Sequence, residues 1–210
     1  MHWQEQYSSS VRFSLVGRWM PALLLMLVPQ LALAHSPMAG IGKFYGGMLH
    51  PLLVLPHALA LLMFGLLVGQ RGVRAMRYAY PAFLIALSAG LLLSGIAAGR
   101  ELQSETILLA FTLGCGLLVA LQWSLPLWLF SLLAAGVGLV VGLDSGIVAD
   151  TPQETFGALL GSGLGALILL IVVAGVVELA GKDWQRLAVR VLGSWGTAGA
   201  VLVLALSLRV

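Results

Sequence analysis

Six apolar runs, each long enough to cross a bilayer, follow one another along this chain at residues 48–68, 79–98, 106–123, 125–143, 156–179 and 187–208. In hydrocarbon every backbone N–H and C=O has to be paired inside the protein, so apolar runs of about 20 residues fold as helices. Periodicity adds little, because helices surrounded by lipid and by one another are apolar on all faces. Composition agrees: 60% of the residues are hydrophobic and 9% charged, against about 25% charged in a soluble domain. So few charges do not solvate a globular surface of this size. The net charge of +3 sits in short clusters between apolar runs, with no basic stripe, which argues for membrane topology and against nucleic-acid binding.

Residues 1–34 read differently. Arg12 and Arg18 lie in a polar start, Pro21 to Val28 is a short apolar run, and Ala32-Leu33-Ala34 precedes His35. A basic region, a short apolar core and an A-x-A site describe a secretory signal peptide. The expected fold is therefore an all-α membrane protein: a six-transmembrane-helix bundle (residues 35–210) after a cleavable N-terminal signal peptide (residues 1–34). An uncleaved anchor helix is the competing reading. Arg71, Arg74 and Arg77, with Lys182, Arg186 and Arg190, lie in two connections on one side, which the positive-inside rule makes cytoplasmic. Glu101, Glu105, Asp144, Asp150 and Glu154 lie in the others. The expected location is the bacterial inner (cytoplasmic) membrane, multi-pass, with the mature N-terminus at His35 in the periplasm.

Glycine is abundant, at 26 residues, and Gly157, Gly161 and Gly165 form overlapping G-x-x-x-G steps at the start of the fifth run. Small residues let helices approach closely in lipid, where packing drives association. They predict a tight bundle or, alternatively, a homo-oligomer face on that helix. Cys115 is the single cysteine; it excludes an internal disulfide and a CxxC site, and reads as a small core or lipid-facing residue.

Ionisable groups inside spans are costly and need an account. His50 and His57 lie seven residues apart, on one helical face, separated by an axial rise of roughly 10 Å. That is long for two ligands of one ion unless the helix bends. Pro56 lies between them and should kink or delay the helix. Imidazole is the commonest side-chain ligand of divalent transition metals. His35 would add a third ring, and Asp144, at the outer end of the fourth run, a carboxylate; otherwise Asp144, followed by Ser145 and Gly146, is a helix-ending turn residue. Glu178, four residues before Lys182, reads as one half of a helical ion pair. Trp123 and Trp184 sit where interfacial belt residues do. No nucleophile elbow, phosphate loop or zincin motif occurs, so an enzyme is not expected.

The stretch Gly46-Gly47-Met48-Leu49-His50-Pro51-Leu52-Leu53-Val54-Leu55-Pro56-His57-Ala58-Leu59-Ala60 resembles the signature of the HupE/UreJ family, membrane proteins associated with hydrogenase and urease maturation. Its first span carries H-P-x-x-G-x-D-H, which His50, Pro51 and His57 match. Trp184-Gln185-Arg186 to Leu192-Gly193-Ser194-Trp195 also looks like the family's last connection and helix. The resemblance implies a divergent member that moves or delivers nickel or cobalt, with copper a weaker candidate; no resident cofactor is implied. The departures are Val54 for the motif's Gly, Pro56 for its Asp, and Gly142-Leu143-Asp144-Ser145-Gly146 where the family has a histidine-rich stretch. The expected metal residues are His50, His57, His35 and Asp144. A non-transporting accessory protein, binding a metal or a membrane-protein partner at its periplasmic face, is the alternative function.

Overall fold

The computed structural model describes residues 42–96, 104–146 and 151–207. The expected signal peptide, its cleavage site and His35 lie outside those residues. The described chain is all helix: α1 (Lys43–Leu53), α2 (Leu55–Arg71), α3 (Val73–Ile96), α4 (Ser104–Leu121), α5 (Leu127–Asp144), α6 (Pro152–Glu178) and α7 (Asp183–Ser207). The last five are each long and apolar enough to cross a membrane. The first two qualify together, as a pair bent by 69°. The chain is a multi-pass membrane protein.

The break between α1 and α2 has a local cause. Pro56 brings no N–H to pair with a carbonyl of the preceding turn, so it stands best at a helix start. It occupies the first turn of α2, and the preceding Val54 is extended, at φ −84° and ψ 108°. Hydrogen bonds from Val54 N to His50 O and from Ala58 N to Val54 O close the two helices against the joint. The next junction is as short as a junction can be. Gly72, at φ 69° and ψ −163°, alone separates α2 from α3, and that backbone region is essentially reserved for glycine. Arg74 and Arg77, expected in a connection, therefore lie in the first turns of α3. Arg186 and Arg190 likewise lie on α7. At the start of α6 the Thr151 hydroxyl accepts from Glu154 N (3.2 Å), with Pro152 as the first helical residue, a regular N-terminal cap.

Helix α2 is the centre of the bundle and touches each of the other six helices. Its residues from Ala60 to Gly69 are buried apart from Leu62. Around it the outer helices associate most closely as α3 with α5, α1 with α6, and α4 with α7. Lipid tails are as apolar as leucine, so these contacts rest on close packing rather than on release of water. Glycine sets how close they come. A Cβ built on Gly142 would lie 2.5 Å from Leu87 O, and one on Gly138 2.6 Å from Phe83 O. Gly161 and Gly165 press on the backbone of α1 at Phe44 and Met48, and Gly47 of α1 presses back on Ala158. The proposed homo-oligomer face is thus filled at two of its three glycines by the chain's own α1; Gly157 alone has open space beside it.

Outward-facing leucines, isoleucines and valines such as Ile85, Leu92, Val172 and Leu202 stay exposed, as contact with a lipid bilayer requires. Cys115 is a core residue, 1% exposed. Trp123 and Trp184 are each 65% exposed at helix ends. The expected Glu178–Lys182 pair is absent among the described residues. Helix α6 ends at Glu178, so the two side chains do not share a helical face.

Candidate functional site

Apolar side chains fill the bundle almost throughout, and the exceptions gather at one end. Among the described residues the buried polar side chains are His57, Ser94, Ser104, Thr112, Ser145 and Ser162. Thr112 bonds back to its own helix at Leu108 O. The other five lie towards the end of the bundle where α2 and α4 begin and α3 and α5 finish.

His57, in the first turn of α2, is fully buried. Its Nε2 lies 2.8 Å from Oδ2 of Asp144, the last residue of α5. The other carboxylate oxygen, Oδ1, accepts from Ser104 Oγ at the start of α4. Ser145 Oγ donates to Val141 O (2.6 Å) and accepts from Ser162 Oγ of α6 (3.0 Å). His50, in the last turn of α1, meets His57 edge-to-face, with ring centres 5.3 Å apart and planes at 74°. Three of the four expected residues, His50, His57 and Asp144, therefore converge from three helices. Ser104, Ser145 and Ser162 were not anticipated. A serine carries no signal of its own, because it is equally at home as a cap, as a solvated residue or inside a helix bonded to a neighbour.

The bend accounts for the convergence. On one straight helix the two imidazoles would stand roughly 10 Å apart along the axis; the 69° joint folds one towards the other. A carboxylate also comes to His57 through space, from Asp144 at the end of α5.

Both ring nitrogens of His57, and Nε2 of His50, are shut off from solvent without an aligned hydrogen-bond partner among the described residues. The Asp144 carboxylate is near His57 Nε2 but off its N–H direction. Leaving such groups unpaired in an apolar setting costs about 1–3 kcal/mol each, and each calls for a reason. A divalent ion bound about 2.1 Å from one nitrogen of each ring would leave the ring centres roughly 5 Å apart. Across such an ion His57 Nε2 and Asp144 Oδ2 would stand roughly 3.0–3.4 Å apart, so the pair would open by a few tenths of an ångström to admit it. Among the described residues no group of three or more His, Cys, Asp or Glu is placed to hold a metal ion by itself.

Ser104 holds one edge of the carboxylate. Ser104→Ala should lower stability in detergent by on the order of 1 kcal/mol, at the low end for a hydrogen bond to a charged group because Asp144 is partly exposed. Chemical unfolding followed by circular dichroism measures it; an unchanged midpoint would make the contact energetically idle.

The chain is similar to Protein HupE of Rhizobium leguminosarum bv. viciae, at 28% identity over 182 residues, covering 86% of this chain and 94% of that protein. No solved structure matches. The HupE / UreJ protein family model matches residues 23–204, from before the described helices to the last turns of α7. With this match over most of its length, the chain belongs to the HupE/UreJ family.

Proposed function

We propose that this protein is a permease or delivery protein for a divalent transition metal, nickel or cobalt, of the HupE/UreJ type. In this reading it works in the bacterial inner membrane as six spans, α1 and α2 together forming the first, with residues 1–34 removed and the site end facing the periplasm. The ion is cargo. It is taken up by His50 and His57, with Asp144 supplying negative charge and His35 an additional imidazole at the entrance.

The observation that supports this best is the buried pair of rings at the helix break. His57 is 0% exposed and both its nitrogens lack aligned partners, beside His50 and a carboxylate. Neutral imidazole with a nearby carboxylate is a donor set that intermediate divalent ions favour. The charge distribution supports the orientation: Arg71, Arg74, Arg77, Lys182, Arg186 and Arg190 all belong to the end opposite the histidines.

The test is nickel and cobalt accumulation in cells that depend on this protein, comparing wild type with the His50→Ala/His57→Ala double variant at matched membrane abundance. Uptake in the double variant is expected to fall to the level of cells lacking the protein. Equal uptake would remove the transport assignment.

A second reading is favoured by the interior of α2. Between His57 and Gln70 its buried residues are Ala60, Leu61, Met63, Phe64, Gly65, Leu66, Leu67, Val68 and Gly69, with no polar step. A protein that captures metal at its outer face and hands it to a membrane partner would need none. Nickel retention by the purified protein, without protein-dependent uptake, would select this reading.

A further inference from the structure

At the end of the bundle away from the histidines, a cavity of about 460 Å³ opens between the ends of α2, α4, α6 and α7. Gln70, Arg71, Gln122, Glu178 and Arg186 supply its polar lining. Arg71 is fixed: one guanidinium nitrogen donates to Gln122 O (2.7 Å) and to Trp123 O, bracing the left-handed turn at Gln122 (φ 54°) that ends α4. Its charge meets carbonyls only. Glu178 lies over the α2–α3 turn, its Cγ beside Gly72. Neither Arg186 nor Glu178 is within ion-pair distance of any described residue of opposite charge. Gln70 donates its amide to Val119 O (3.3 Å), yet its Oε1 is buried with no partner, and so is Nε of Arg71.

This lining joins two unneutralised guanidinium groups to one unneutralised carboxylate. Guanidinium groups are well matched to phosphate, and basic pockets between transmembrane helix ends take lipid headgroups. A phosphate alone would leave Glu178 in a repulsive position. A headgroup bearing both a phosphodiester and an ammonium would satisfy both signs. The exposed Trp123 beside the cavity and Trp184 on the neighbouring first turn of α7 are residues characteristic of the headgroup level of a bilayer. We infer that this cavity is a binding site for an amine-bearing phospholipid headgroup of the phosphoethanolamine class, with Arg71 and Arg186 on the phosphate and Glu178 on the ammonium.

The site is tested by native mass spectrometry of the full-length protein in mild detergent. It is titrated with phosphatidylethanolamine or phosphatidylglycerol of identical acyl chains. Wild type should retain the ethanolamine lipid several-fold more than the glycerol lipid. Glu178→Gln should erase that preference, and Arg186→Gln should lower retention of both. Arg74→Gln, on α3 outside the cavity lining, should match wild type. Arg71 is left intact because it holds the end of α4, and each variant is compared by its melting curve. Soluble glycerophosphoethanolamine should displace the bound lipid at millimolar concentration, which separates headgroup recognition from acyl-chain adhesion. Equal retention of the two lipids by wild type would overturn the inference, as would an unchanged preference in Glu178→Gln. Failure to displace would place the binding on the chains and overturn it as well.

Discussion

Gly165→Leu is expected to be among the most damaging substitutions on the described helices, with a loss of about 3 kcal/mol or more. The position leaves no room, because the backbone of α1 at Met48 occupies the place of the new side chain. Backbone cannot rotate aside as the end of a flexible side chain can. In lipid, moreover, no hydrophobic gain offsets the lost packing. Helix α1 would have to lift off α6, carrying His50 away from His57. Thermal unfolding in mild detergent, scored as the fraction eluting at the native volume, measures the effect. Gly175→Leu, on the same helix with nothing within 4 Å of its Cβ position, is the control and should melt close to wild type. The pair also separates two roles of the glycine stripe. Packing within one chain makes Gly165→Leu unfold, whereas a stripe that served self-association would yield a folded protein of smaller assembly size. A folded, smaller Gly165→Leu product would contradict the packing described above.

The second large effect is expected at Asp144. Asn at this position keeps the shape of the side chain and an oxygen for Ser104 to donate to, and removes only the charge. On the metal-cargo reading, Asp144→Asn should retain nickel ten- to a hundredfold less tightly, the range typical when a carboxylate supporting metal-bound histidines is lost. The melting temperature should move little. Asp144→Leu goes further, removing an acceptor of Ser104 and the carboxylate beside His57, and should lower stability by roughly 1–3 kcal/mol. Equilibrium dialysis against nickel, paired with melting curves, checks both. If Asp144 merely ends a helix, Asn would serve as well as Asp, and wild-type nickel retention in Asp144→Asn would remove the carboxylate from the metal site.

The histidine pair shows how far the sequence could be followed. The seven-residue spacing placed both rings on one face, and Pro56 marked where a helix would be interrupted. Whether the interruption would bring the rings together or swing them apart is not a local property. It depends on the direction of the 69° bend, and that is set by where α1 is held. Gly47, Gly161 and Gly165 hold it against α6. The glycines were visible as a stripe, but a stripe of small residues fits a partner chain as well as a neighbouring helix. The Glu178–Lys182 spacing failed for a related reason. A pair four residues apart meets only if the helix continues through both, and α6 stops at Glu178.

What the sequence determined alone is whatever the solvent dictates residue by residue. A bilayer demands long apolar segments with satisfied backbones, and it demands that ionised groups collect at their ends. Helical class, the approximate positions of the long apolar helices and the basic end of the molecule follow from that demand, and Pro56 by itself marks an interruption. Only the tertiary structure decided which helices touch, because all of them are apolar on every face and carry no address for one another. That choice brought Asp144 and Ser104, from α5 and α4, to the ring of His57, and left Arg186 and Glu178 facing one cavity without partners.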